Sequence, residues 1–382
     1  MIRFTPKRYQ LKKEAANAVK QGHPWVYRSK VSTAASVFPV GQWLQLVGPT
    51  NEVLGYGIYE EDGIIAIRVL KQGATKPDAA WVGARVDKAI AKREHVRKYS
   101  DAFRAIHGEN DGLPGIVVDV YKDTAVLQTY VPSVDTLGRF VAAVVGQRLG
   151  LKNIVWKFPV KRKSQSEDRV LRGHLPAEVK VREGKLTLTT PVGAGQKSGA
   201  FLDLRGLRKW VAGQKLDGRR VLNLFSYTGT LGLAAEVAGA REIWNVDISK
   251  GALEVAKRLH TLSEKKHRFV AADIFDWLGK LDPDEKFDLI IVDPPMMASQ
   301  KTQVDTALRA YRKLYREAQK HLTAKGTIVG ACCTSRIPRS TFEQTVAQSL
   351  GGMKKVASLP PEDDHPVSFP EGDYLKIVIY RA

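Results

Sequence analysis

Apolar positions along the chain change their period near residue 200. Before it, short apolar runs alternate with turns. Pro24–Tyr27, Trp43–Val47, Val53–Tyr59 and Ile64–Val69 read as strands, punctuated by Gly41, Gly55, Gly57 and Gly63. Residues 1–75 are therefore expected to form a small β-barrel module. Residues 77–100 have helical spacing, with a basic face of Arg85, Lys88, Lys92, Arg93, Arg97 and Lys98. Strands Gly115–Val120 and Ala125–Tyr130 follow, joined by a turn at Lys122-Asp123. A helix Val134–Leu149, a strand Asn153–Phe158 and a basic loop Lys161-Arg162-Lys163 complete a central α+β domain over 76–190.

Over 191–382, strands and helices alternate. The strands are Val221–Phe225, Glu242–Asp247, Arg268–Asp273, Phe287–Asp293, Gly326–Cys332, Lys354–Leu359 and Tyr374–Tyr380. Helices are expected at Thr230–Ala238, Lys250–Thr261, Val304–His321 and Ser340–Leu350. This pattern predicts a doubly wound, seven-stranded α/β domain with a mainly parallel sheet. Ligands of such sheets bind at the carboxyl ends of the strands.

Composition narrows the class. The chain has 382 residues, 43% hydrophobic and 26% charged, which argues against collagenous, disordered and membrane proteins. Apolar stretches such as Phe140–Val145 are too short to span a bilayer. The formal charge of +20 divides into +5 over 1–75, +8 over 76–190 and +7 beyond. Such a field favours a polyanion, and nucleic acid before a membrane. The two cysteines, Cys332 and Cys333, are adjacent, so neither a disulfide framework nor an all-cysteine metal site is expected. A reducing cytoplasm fits this, as does a charged N-terminus without a signal-peptide core.

The strand ends carry the chemistry. The first runs into Phe225-Ser226-Tyr227-Thr228-Gly229, and the next three end at Asp247, Asp273 and Asp293-Pro294-Pro295. One Asp would read as a helix cap, but three along one sheet edge read as a site. A dinucleotide needs a tight GxGxxG turn, and here Phe225 and Tyr227 stand where that turn needs small residues. S-adenosylmethionine, a nucleoside without phosphates, fits better. Asp247 would accept from both ribose hydroxyls. Asp273 and Ile274 would face the adenine, and the loop 225–229 would hold the methionine part. No metal is implied.

The fifth strand ends at Cys332-Cys333. A pyrimidine carbon 5 is a poor nucleophile until a thiolate adds to carbon 6. That chemistry needs an activated cysteine beside the cofactor. Cys332, inside the strand pattern, is expected to be a buried core residue. Cys333, at the exit and one strand from Asp293, is the candidate nucleophile.

These motifs resemble the bacterial 23S ribosomal RNA cytosine-5 methyltransferases that carry an N-terminal PUA domain. The resemblance spans nearly the whole chain. It rests on Gly22-His23-Pro24-Trp25-Val26-Tyr27, His107-Gly108-Glu109-Asn110-Asp111-Gly112-Leu113-Pro114-Gly115 and Lys197 to Arg205 (KSGAFLDLR). Phe225 to Gly229, Asp293-Pro294-Pro295, Asp364-His365-Pro366 and Pro370 to Lys376 also match. It implies Cys333 as nucleophile, Asp293 orienting the base beside the cofactor, and Asp247 with Ile248, and Asp273, holding S-adenosylmethionine. It also implies Arg205 near the cofactor, with Lys197, Phe201, Pro294 and Pro295 toward the RNA base. The chain departs from the family pattern at Met296-Met297, where an aromatic is usual, at Cys332 in place of Ser, and at Leu204 in place of Gln.

The expected protein is a cytoplasmic RNA methyltransferase with a PUA-like, a central and a catalytic domain, as a monomer or homodimer. Two alternatives remain open. One is methylation of another base or atom, and the other is a non-catalytic RNA-binding assembly factor.

Overall fold

The computed structural model describes residues 4–31, 38–159, 162, 168–193, 200–260, 262 and 264–382. The chain divides into two compact units. One gathers Met1–Val181, Thr190–Leu202 and Asp363–Phe369, and the other Arg182–Thr189, Asp203–Glu362 and Pro370–Ala382.

In the first unit, β1 (Lys7–Gln10), β2 (Trp25–Tyr27), β3 (Trp43–Val47), β4 (Val53–Tyr59) and β5 (Ile65–Gln72) form a sheet ordered β1-β3-β4-β5-β2. Helix α1 (Lys13–Lys20) buries Ala15, Ala16 and Val19. The helix expected over 77–100 is two helices, α2 (Ala79–Lys92) and α3 (Glu94–Tyr99). The break falls at Arg93, which leaves the basic face. Its guanidinium is fully buried against Asp111. A second sheet contains β6 (Ala102–His107), β7 (Ile116–Tyr121), β8 (Thr124–Thr129), β9 (Asn153–Trp156) and β10 (Arg169–Arg172), in the order β10-β9-β8-β7-β6. Helix α4 (Asp135–Arg148) packs on β8. Phe4, Ile58 and Leu70 join the core of this second sheet, so barrel and central segment share apolar contacts.

Lys161 and Lys163 of the basic loop lie outside the described residues. Arg162 is buried and donates through both terminal nitrogens to Asp135 at 2.9 Å.

Three of the motifs noted above meet inside this unit. Trp25 Nε1 and Arg68 Nη1 both donate to Glu109 Oε1 at 2.8 Å. The Arg104 amide donates to Asp364 Oδ2 at 2.9 Å, and the Ser368 amide to Asn110 Oδ1 at 2.8 Å. Phe369 packs edge-on against Trp25, with centroids 5.0 Å apart. These contacts hold the segment Asp363–Phe369.

Two short strands follow in the chain, β11 (Val179–Glu183) and β12 (Leu186–Thr190), and then α5 (Arg205–Ala212). The second unit continues with β13 (Arg220–Leu224), α6 (Thr230–Val237), β14 (Glu242–Asp247), α7 (Lys250–His260), β15 (His267–Ala271) and α8 (Ile274–Trp277). It closes with β16 (Phe287–Val292), α9 (Val304–Lys320), β17 (Leu322–Cys333), α10 (Arg339–Ser349), β18 (Lys354–Leu359) and β19 (Leu375–Arg381). The sheet order is β15-β14-β13-β16-β17-β19-β18. Neighbours are parallel from β15 to β17 and antiparallel beyond. The order reverses between β13 and β16, which opens the crevice where such sheets bind ligands. Ala307, Leu308, Tyr311, Leu314, Tyr315 and Ala318 form the buried stripe of α9, at helical spacing. No helix among the described residues is long and apolar enough to cross a membrane.

His260, at the end of α7, has both ring nitrogens buried without hydrogen-bond partners. Burial, and then Arg208, push its pKa down to about 4 from the ordinary 6.5. The unfolded chain therefore binds a proton below pH 6.5 that the folded chain refuses. Stability should fall as pH drops from about 6.5 to 4, by up to about 3 kcal/mol from this residue. Urea midpoints across that range check this, and His260→Gln should flatten the slope.

Candidate functional site

The register of the sheet brings three strand ends level, and β17 runs three residues further, from Gly330 to Cys333. Leu224 pairs with Val246 on one side and Val292 on the other, and Val292 pairs with Gly330. Phe225, Asp247 and Asp293 therefore leave the sheet along one edge. Cys333 ends the next strand.

The loop after β13 is held in an unusual shape. Phe225 and Tyr227 have φ of 59° and 47°, and Gly229 has 73°. Left-handed backbone costs a bulky residue about 1–3 kcal/mol and collects at functional sites. The Ser226 amide donates to Val246 O at 3.0 Å, and the Gly229 amide to Ser226 O at 2.8 Å. Asp247 closes the loop, accepting from the Tyr227 amide and the Ser249 amide, each at 2.8 Å. Each carboxylate oxygen keeps a lone pair for a hydroxyl donor. Burial, and then Asp247, raise the Tyr227 pKa. Ser226 Oγ is buried with no partner, a cost that a polar ligand group would relieve.

The third strand differs from expectation. It ends at Ala271, and Asp273 is the N-cap of α8, accepting from the Phe275 amide at 2.9 Å. Phe275 then meets Phe225 edge to face at 5.8 Å. This gives an aromatic wall beside Asp273, on a residue that sequence reasoning missed. Ile274 is buried, whereas Ile248 beside Asp247 is 71% exposed, an apolar surface next to the ribose candidate.

On the other side of the crevice, Asp293 is partly buried, Pro294 buried and Pro295 exposed. Met296 is 59% exposed, and Met297 packs on the core. Strand β17 runs one residue further than expected, through Cys333, and no disulfide joins the two cysteines. Successive side chains of a strand face opposite ways. Cys332 is fully buried in the core with Tyr311 and Tyr315, and burial raises its pKa. Cys333 is partly exposed.

Lys376, in β19, is the register partner of Cys332. Its buried ammonium donates to Thr334 O and Asp373 O, each at 2.6 Å, and acts electrostatically on both cysteines. Thr334 Oγ1 in turn donates to Ala298 O at 2.8 Å, tying the Cys333 turn to the segment after Asp293. Burial lowers the Lys376 pKa, and the two cysteines oppose that shift. Lys376 ends the matching segment Pro370 to Lys376, but only the antiparallel return of β19 places it beside Cys332.

Three candidates remain. The Arg205 guanidinium is fully buried, facing Glu183 at 3.7 Å and Glu362 at 3.6 Å. Phe201 belongs to the first unit. Lys197 lies outside the described residues.

Over residues 136–380 the chain matches a family described as S-adenosylmethionine-dependent methyltransferase, and over 10–72 a PUA-like domain. It is 33% identical to a ribosomal RNA large subunit methyltransferase of Deinococcus radiodurans, covering 98% of this chain and 97% of that one. It is 32% identical to ribosomal RNA large subunit methyltransferase I of Shewanella amazonensis, over 98% and 99% of the two chains. Among solved structures, a Streptococcus mutans chain described as a SAM-dependent methyltransferase superposes with a TM-score of 0.84. At 20% identity it covers 98% of this chain and 100% of its own, and it shares the fold.

Proposed function

The chain belongs to the S-adenosylmethionine-dependent methyltransferase family, and on that premise we propose that it methylates carbon 5 of a cytosine in 23S ribosomal RNA through a Cys333 adduct at carbon 6. The observation that carries the chemistry is a partly exposed thiol at the end of the strand that pairs with the one leading to Asp293, within the electrostatic reach of Lys376. The ribosomal substrate is supported by relatives named for the large subunit, by the PUA-like segment and by the charge of +20.

S-adenosylmethionine, when bound, supplies an electrophilic methyl group. Ser226, the loop Phe225–Gly229, Asp247, Asp273 and the Phe225–Phe275 wall would hold it. Asp293 and the Pro294-Pro295 turn orient the flipped cytosine. The Cys333 thiolate forms a bond to carbon 6, which makes carbon 5 nucleophilic. Once carbon 5 carries the methyl group, a base takes its proton, the carbon 5–carbon 6 double bond re-forms and the thiolate leaves. Cys332, held protonated by burial, takes no part.

Modification mapping of ribosomal RNA from a strain lacking the protein tests this. One 5-methylcytosine of the large-subunit RNA should disappear. Loss of a different modification, with every 5-methylcytosine retained, would overturn the assignment of the atom. The basic surface predicts a steep salt dependence, because bound phosphates release counterions. For about six phosphate contacts, affinity for an rRNA fragment should fall about a thousandfold from 50 to 200 mM salt. Filter binding across that range measures it, and a flat profile would remove the polyanion argument.

A further inference from the structure

Three polar residues sit where a buried sheet would otherwise be apolar, and they lead to a fourth on helix α6. Asn223 in β13 and Asn245 in β14 are fully buried, and His267 opening β15 is 1% exposed. Asn223 Nδ2 donates to Asn245 Oδ1 at 3.0 Å. Asn245 Nδ2 lies 3.0 Å from His267 Nδ1, and His267 Nε2 lies 3.0 Å from Glu236 Oε2 in α6. An amide nitrogen only donates, so His267 Nδ1 accepts and its proton sits on Nε2, donated to Glu236. Every bond in the chain therefore points toward the Glu236 carboxylate.

The two ends of this chain flank the loop at the cofactor crevice. Asn223 lies in the strand that enters it, and Glu236 in the helix that leaves it. The glycines make room between them. A Cβ on Gly232 would lie 2.3 Å from Asn245 Oδ1, so the first turn of α6 rests directly on the amide. The loop itself holds Phe225 and Tyr227 in left-handed backbone, which survives only where the surroundings over-determine it. Apolar packing is non-directional and would not tie strand to helix in one register.

We propose that Asn223, Asn245, His267 and Glu236 are positioning residues that hold the loop Phe225–Gly229 in its cofactor-binding shape. This rests on the placement of S-adenosylmethionine in that loop. The network needs a neutral His267, because a proton on Nδ1 would face the Asn245 amide N–H, donor against donor. The groups around the ring are Glu236 from α6, Asn245 from β14 and Phe269, stacked at 6.0 Å. Lys266 lies 3.6 Å from Glu236, and Lys257 of α7 lies 5.0 Å from the Phe269 ring. Burial lowers the His267 pKa, with Glu236 opposing, so the ring is neutral at pH 7. Cofactor affinity should therefore fall as pH drops below the ordinary histidine range.

Calorimetry of S-adenosylmethionine binding to the full chain, from pH 7.5 to 5, tests this, with thermal unfolding followed in parallel. Asn245→Leu should weaken binding at least tenfold at pH 7.5 while the chain stays folded. The wild-type affinity should decline with pH. His267→Asn keeps an acceptor toward Asn245 but cannot take up a proton, so its affinity should stay flat. An Asn245→Leu affinity within twofold of wild type would overturn the network. So would the same pH profile in wild type and His267→Asn, and that comparison decides if Asn245→Leu fails to fold. Asp247→Ala is the control. If it too binds like wild type, the loop placement fails and the network is not at fault.

Discussion

Cys333→Ala is expected to abolish methylation, by several orders of magnitude in kcat, while S-adenosylmethionine still binds and the chain still folds. Losing the covalent step removes the activation of carbon 5, which no other group in the crevice supplies. The thiol is partly exposed, so its removal leaves little cavity. Cys332→Ala should behave in the opposite way. That side chain is fully buried against Tyr311, so the change costs packing of about 1–2 kcal/mol and spares most of the activity. Single-turnover methylation of an rRNA fragment, with thermal unfolding of the same samples, separates the two. Comparable activity in Cys333→Ala and wild type would mean that the chemistry does not pass through this thiol.

Asp111→Ala is expected to have the largest effect on stability. Arg93 and Asp111 are 0% and 1% exposed, and the Arg93 Nη1–Asp111 Oδ1 bond is 3.0 Å. Asp111 also accepts from the His107 amide at 2.8 Å, which locks the turn of the central motif. Removing the carboxylate strands a buried guanidinium, at a cost of about 3–5 kcal/mol. Removing both charges together, in Arg93→Met with Asp111→Leu, leaves only the exposed Lys92 without its partner and should recover most of that loss. Urea unfolding of the three variants measures this. A single-variant cost under about 1 kcal/mol would show that solvent reaches the pair.

Those two residues also mark where sequence reasoning reached and where it stopped. Strands with clean apolar patterning, such as Trp43–Val47, Val53–Tyr59, Glu242–Asp247 and Lys354–Leu359, were legible to the residue. Strand β1 and helix α1 were not, because their charged residues hide a small buried stripe at Ala15, Ala16 and Val19. The interruption at Arg93 depends on Asp111, a partner across the unit that no local pattern reveals. At the candidate site, the positions of Asp247 and Cys333 at strand ends were legible, because the strands that carry them have a clear pattern. Asp273 caps α8 instead of ending β15, which strand patterning alone did not indicate. The Lys376 contact with Cys332 and the Asn245–His267 contact stayed hidden, because sheet order alone brings these residues together.

The most direct test of a Cys333 nucleophile is a covalent trap. Fluorine at carbon 5 of the target cytosine replaces the proton that must leave before the thiolate is expelled. Large-subunit RNA carrying 5-fluorocytosine, incubated with the protein and S-adenosylmethionine, should therefore give an adduct that survives denaturation. Peptide mapping by mass spectrometry should place the nucleotide on Cys333. An adduct on Cys332, or no adduct from RNA whose unfluorinated form is methylated, would contradict the mechanism.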